Sequence, residues 1–255
     1  MKKILVLGSS LNVAIWEFVN DADARRPEPL EGVTFAFASI NGRAWTHHAA
    51  APPFRFGTGD GTSVDLVDTA TTLDGDVAWR SVVPRIDFSE FAGLMVSETL
   101  LWTLFPEFVN QKYFVFDFIG EDLSATHTPL SAPTWLEAVK AYKKNSFALF
   151  DFIRRTHPGF PVALTPSALP RLDQTQFDDL YRRHRRAEIA CLGDHVEKAF
   201  GFVVGRQPEA TLASPIATLD HFTKGDMHHF SKEFVGAALA DPSMTPFYEA
   251  IAARG

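Results

Sequence analysis

The segment Ile4-Leu5-Val6-Leu7 is apolar at every position and is closed at once by Gly8-Ser9-Ser10. A strand with one wet face alternates apolar and polar residues. A short run without polar positions has both faces covered, as strands of a parallel sheet do. Residues 11–20 then place Val13, Ile15, Trp16 and Val19 at helical positions. The pattern repeats along the chain. Val33–Ile40 reads as a second strand, ended by the turn signal Asn41-Gly42. Phe91–Val96 is a third, followed by a helix over 99–110, and Tyr113–Ile119 is a fourth. A helix over 134–157 carries Leu136, Val139, Tyr142, Leu149 and Ile153, and Pro161–Leu164 is a fifth strand stopped by Pro166. A long helix over 175–200 sets Phe177, Leu180, Ala187 and Cys191 on one face. After irregular chain over 201–224, helices are expected at 231–240 and 246–253. Strand and helix in alternation make an α/β fold, with a parallel sheet covered by helices on both faces and right-handed crossovers.

At 255 residues the chain suits a single α/β domain over 1–255. Residues 43–85 break the alternation with Pro52-Pro53, Gly57, Gly59 and Gly61, leaving β-like pieces near Val64–Val67 and Val77–Val83. They read as a long excursion from the sheet, a small hairpin or cap. Most of the 23 Phe are expected in the core, some lining a pocket, since these rings have no polar handle.

Composition removes several function classes. A net charge of −7 lacks the basic footprint of nucleic-acid binding. The densest basic run, Arg182, Arg183, Arg185 and Arg186, lies in a helix with acidic neighbours and reads as a solvated face. No stretch approaches about 18 apolar residues, so no membrane span is expected. Ile4–Leu7 is too short for a signal-peptide core, so the protein is expected to stay in the cytoplasm. Cys191 is the only cysteine, which excludes an internal disulfide and a Cys-rich zinc site.

Ligands on such sheets bind at the carboxyl ends of the strands, so the loops there are where chemistry is sought. Gly8-Ser9-Ser10-Leu11 follows the first strand and opens a helix. Backbone N–H groups at a helix start favour a developing anion, and a serine beside them becomes a nucleophile when a base takes its proton. The same serine pair also serves as a helix N-cap. Near the other end, Gly225-Asp226-Met227-His228-His229-Phe230 precedes the helix that starts near Ser231. Asp226 and His229 are spaced so that the carboxylate can orient the imidazole, the base and orienter of triad logic. Asp220-His221 is an alternative pair. His47-His48 and His228-His229 invite a metal, but adjacent histidines project apart and no carboxylate stands at a familiar ligand spacing, so neither a metal nor a cofactor is expected.

Taken in order, the two blocks resemble the SGNH, or GDSL, hydrolase family, which carries a Gly-Asp-Ser-Leu type block after its first strand and Asp-x-x-His before its last helix. The first block matches at three of four positions, with Ser9 in place of the acidic residue. Asp226-Met227-His228-His229-Phe230-Ser231 is similar to the Asp-Met-x-His-x-Ser of the branch whose first block reads Gly-Ser-Cys-Phe-Ala, and Val162-Ala163-Leu164-Thr165-Pro166 looks like that family's late strand. The resemblance implies a three-layer, flavodoxin-like sheet. It also implies a serine esterase or O-acyltransferase acting on an acylated carbohydrate or related small ester, with Ser10 as nucleophile, His229 as base and Asp226 as orienter.

The family's middle Gly-x-Asn-Asp is absent. Gly42, beside Asn41 after the second strand, offers one backbone N–H to an oxyanion, and the Ser97 hydroxyl stands where the missing amide would be. Trp45 and His228 are candidate substrate contacts, Trp45 by stacking on a sugar. Two rivals remain open. One is a binding or scaffold protein of polysaccharide metabolism that kept the fold and lost the activity. The other is a nucleotide binder, although of the dinucleotide fingerprint only Gly8 is present.

Overall fold

The computed structural model describes residues 2–8, 12–40, 52–59, 61–66, 85–97, 113–120, 127–166, 169, 179–215, 217–218 and 231–254. The strands are β1 (Lys3–Gly8), β2 (Thr34–Ser39), β3 (Phe54–Thr58), β4 (Ser63–Leu66), β5 (Arg85–Ile86), β6 (Gly93–Val96), β7 (Tyr113–Val115), β8 (Thr128–Leu130), β9 (Val162–Leu164), β10 (Val203–Val204), β11 (Leu212–Ser214) and β12 (Ala217–Thr218). The helices are α1 (Asn12–Asn20), α2 (Phe116–Ile119), α3 (Ala132–Tyr142), α4 (Lys144–Thr156), α5 (Asp179–Phe200), α6 (Lys232–Ala240) and α7 (Thr245–Ala253).

Five strands form one all-parallel sheet in the order β10-β9-β6-β1-β2. Leu7 pairs with Ala38 on one side and Val96 on the other. The apolar run at the N-terminus is thus an interior strand, flanked on both sides, as its lack of polar positions requires. Successive side chains point to opposite faces and build two cores. Leu5, Leu7, Leu94, Val96, Val162 and Leu164 face Val139, Leu149, Phe150, Leu192 and the antiparallel sheet β3–β4–β5. Ile4, Val6, Met95 and Ala163 face Ile15, Phe18, Phe234, Ala238, Phe247 and Ile251 of α1, α6 and α7. The protein is therefore an α/β sheet covered on both faces.

Direction matters for the site. α1 follows β1 and so starts at the carboxyl edge. α6 lies antiparallel to it: Lys232, at its start, pairs with Asp21 beyond the end of α1 at 2.6 Å, and Gly236 lies against the Phe18 ring, where a Cβ would stand 2.7 Å from the ring edge. α6 therefore climbs towards the carboxyl edge. There Ser243 accepts the Arg206 N–H just past β10. α7 then descends, and Lys2 at the sheet's amino edge donates to the carbonyls of Ile251 and Ala252.

Four sequence expectations need correction. The fourth strand, expected over Tyr113–Ile119, is only Tyr113–Val115, turns directly into α2, and pairs with β8 outside the main sheet. The fifth strand of the sheet is instead Val203–Val204, inside the stretch read as irregular. Gly201, at φ 71°, ends α5 and turns the chain into it, a backbone conformation that glycine adopts without penalty. The single helix over 134–157 is two, broken at Lys143, whose backbone leaves the helical region at φ −98° and ψ 28°. The arginine run is the fourth: Arg182 and Arg185 are 5% and 6% exposed, and only Arg183 and Arg186 face solvent. The excursion over 43–85 contains the hairpin β3–β4 as expected, while the helix over 99–110 and the piece near Val77–Val83 lie outside the described residues. No helix among the described residues is long and apolar enough to cross a membrane.

Candidate functional site

Counted along the chain, the five parallel strands lie in the order 2-1-3-4-5. The chain leaves β1 for α1 on one face, and after β6 its helices α3, α4 and α5 cover the other. Between β1 and β6 the order reverses, and at such a point the diverging connections leave a crevice at the carboxyl edge. Gly8 and Ser97 flank it, each closing a strand.

A polar bridge spans this crevice. The buried Asn12, first residue of α1, donates from Nδ2 to the Ala38 carbonyl of β2 at 3.0 Å. Its Oδ1 accepts the Ser97 hydroxyl, and the Ser97 N–H donates to the Leu7 carbonyl at 2.9 Å. One amide and one hydroxyl therefore tie together the tips of β1, β2 and β6. Beside them a pocket of about 20 Å³, lined by Ile15, Ser97, Thr165, Phe234 and Ala238, has room for about one water.

Ser97 is the candidate site residue that the structure describes. It is 2% exposed, its hydroxyl donating to Asn12 and its N–H to Leu7. Ser10, Asn41, Gly42, Trp45, Asp226, His228 and His229 lie outside the described residues, as do Asp220-His221 and His47-His48. Their described anchors are informative. Gly8 and Asn12 flank the first block at the carboxyl edge. Ser231, which caps α6 by accepting the Phe234 N–H at 3.3 Å, follows the second block beside the far end of α1.

A second polar cluster was not foreseen. The first half of α5 overhangs the carboxyl edge: Gly193 packs against Val204 and Arg206 at the tip of β10, and Glu188 and His184 lie about 7 and 13 Å further along the helix. The short cap of β7, α2 and Trp135 covers them. The Phe118 ring meets His184 edge-on at 5.3 Å and Trp135 at 5.1 Å. Arg185 Nη1 reaches Glu188 Oε2 at 3.4 Å, and the Arg182 guanidinium pairs with Asp179 at 3.2 Å. Burial pushes the Glu188 carboxyl up to about 7 against the pull of Arg185 and Trp135. Burial, then the Arg185 charge, lowers His184 to about 4. Burial raises the Tyr181 hydroxyl to about 12 and, with Asp194 and Glu188 adding, raises the Cys191 thiol.

Sequence reasoning missed this cluster because its charges read as a solvated face. The available signal was spacing: Tyr181, His184, Arg185 and Glu188 recur at helical intervals on one side of α5, interleaved with the exposed Arg183 and Arg186. Between α5 and the β11–β12 hairpin, a groove of about 190 Å³ is lined by Leu169, Ile189, Leu212, Pro215, Arg186 and Arg206. Arg206 there is already paired with Glu197 at 2.9 Å and Asp194 at 3.4 Å. Among the described residues no group of three or more His, Cys, Asp or Glu gathers as metal ligands would.

The fold defines the class: an α/β protein with a five-strand parallel sheet covered by helices, whose strand order reverses between β1 and β6. Comparison with known proteins goes no further, since no family model matches the chain and no curated protein is similar to it.

Proposed function

We propose that the chain binds a small organic ligand in the crevice at the tips of β1, β2 and β6. The strand order carries this reading, because the reversal between β1 and β6 is where sheets of this order hold ligands. The Asn12–Ser97 bridge supports it by giving the crevice a rigid floor whose polar groups are already satisfied. Among ligand classes, the resemblance of the two short blocks favours an acylated carbohydrate or a related small ester.

The test is a titration of the isotope-labelled protein with acylated sugars, simple esters, NAD and ATP, followed by amide NMR. Shifts centred on Gly8, Asn12, Ile40 and Ser97 are the expected result, and the ligand that produces them names the class. Shifts gathered at the amino edge, or on the α5 groove instead, overturn the proposal.

A second reading is a serine esterase or O-acyltransferase with Ser10 as nucleophile, His229 as base, Asp226 as orienter, and Asn41, Gly42, Trp45 and His228 as substrate contacts. Gly8 favours it, since the glycine of the first block ends β1 at the carboxyl edge with α1 starting four residues on. A fluorophosphonate probe separates the two readings. Labelling that disappears in both Ser10→Ala and His229→Ala establishes the enzyme. Labelling that survives in His229→Ala removes that base, and no labelling at all leaves the binding protein.

A further inference from the structure

We infer that the groove between α5 and the β11–β12 hairpin is a second ligand site, taking a small monocarboxylic acid with an aromatic or branched aliphatic body. It goes beyond the crevice proposed above and is separate from it. Arg206 and Gln207 follow β10, and Leu169 follows β9. The groove is thus fed by loops at the carboxyl ends of two strands, where sheets of this kind bind ligands. In the sheet, β10 lies two strands from β6 and three from β1, about 10 and 14 Å from the strands that flank the crevice.

The walls are held by their own hydrogen bonds. The Leu169 N–H donates to Gln207 Oε1 at 2.9 Å, and Gln207 Nε2 donates to the Thr211 hydroxyl at 3.1 Å. Arg186 Nη1 donates to the Pro215 carbonyl and ties the hairpin to α5. Between these ties Leu169, Ile189, Ala190, Leu212 and Pro215 line the groove, an apolar surface that offers a sugar's hydroxyls few partners. Its volume is about 190 Å³, against about 150 Å³ for a dry cavity that holds benzene. That matches one ring, or a branched chain of similar bulk.

Charge selects the polar end of the ligand. Among the described residues the lining carries two guanidiniums and no acid. Arg206 is already neutralised by Glu197 at 2.9 Å and Asp194 at 3.4 Å. Arg186 is exposed, and among the described residues no carboxylate pairs with it. Its bond to the Pro215 carbonyl uses one of five N–H donors and leaves the Nε–Nη2 edge, a fork that suits a carboxylate. One uncompensated cation beside an apolar lining complements a ligand with one negative charge and an apolar body. A phosphate dianion would find no second cation there, since Arg206 serves two acids.

Titration of the isotope-labelled protein with phenylacetate, followed by amide NMR, tests the inference. Saturable shifts at Ile189, Ala190, Gln207 and Leu212 are expected. Phenylacetamide keeps the ring without the charge, and acetate keeps the charge without the ring. Each should bind at least about tenfold more weakly, for want of one charge-assisted contact or one buried ring. Arg186→Gln retains a donor for the Pro215 carbonyl. It should weaken phenylacetate about tenfold and leave phenylacetamide unchanged. Ala190→Phe should fill the groove and abolish the shifts with both. No saturable shifts, or equal affinity for phenylacetate and phenylacetamide, overturn the inference. Should a variant fail to fold, the three probes on the wild type decide. Shifts centred on Gly8, Asn12 and Ser97 with phenylacetate overturn the groove alone and leave the crevice reading intact, so the two proposals fail separately.

Discussion

Two polar networks stand on the carboxyl side of this sheet, and they are built from opposite chemistry. At the crevice, Asn12 and Ser97 are neutral, and their side chains exchange hydrogen bonds with each other and with the ends of strands. Beneath the cap, Arg182, His184, Arg185 and Glu188 carry or can carry charge, and all four side chains are buried. A satisfied neutral network gives rigidity that does not respond to pH. A buried charged network is held against a large desolvation penalty, so it stays sensitive to protons and to the loss of any member.

The strongest test of that contrast removes a charge. Arg185→Met leaves Glu188 buried without its cation, and breaking such a pair costs about 3–5 kcal/mol, read as a lower urea midpoint. The loss should be larger at pH 8, where Glu188 is ionised, than at pH 5.5, where it carries its own proton. Equal losses at both pH values would erase the distinction between the networks.

Asn12→Ala comes next. It strands the buried Ser97 hydroxyl and takes one donor from the Ala38 carbonyl, at about 2 kcal/mol in total. That loss should be the same at pH 5.5 and pH 8. Ser97→Ala removes the hydrogen bond to Asn12 Oδ1, with an expected cost of about 1–2 kcal/mol. A pH-dependent loss in either variant would mean that a titrating group outside the described residues reaches the crevice.

The smallest effect on stability comes from the exposed Asp21–Lys232 pair, yet it bears most directly on how α1 and α6 pack. Lys232→Ala should leave the urea midpoint nearly unchanged, since surface pairs contribute little. In the wild type, carbodiimide should join the two side chains, 2.6 Å apart, in a cross-link that peptide mass spectrometry identifies. Absence of that product would undo the antiparallel packing of α1 and α6.

Much of the fold was legible in the residues. β1, β2, β6 and β9 are runs that no solvent-facing strand would carry, and α1, α6 and α7 begin within a residue or two of their expected starts. Val203–Val204 was not legible, because two residues make no periodic signal and become a strand only by pairing with Ala163 and Leu164. Tyr113–Ile119 misled for the complementary reason: it has the composition of a buried strand, but Phe116 onward turns helical where α2 packs on α5.

Of the site, the sequence by itself placed Gly8 and Ser97 at strand tips, since a strand's end and direction follow from its local pattern and from the parallel sheet it joins. Only the tertiary structure decided what Ser97 does, which way α6 runs, and that Arg182 and Arg185 are buried. Those are properties of what packs against a residue. A charge on a helix reads as solvated until a covering element is known, and here the cover is a cap that local periodicity does not announce.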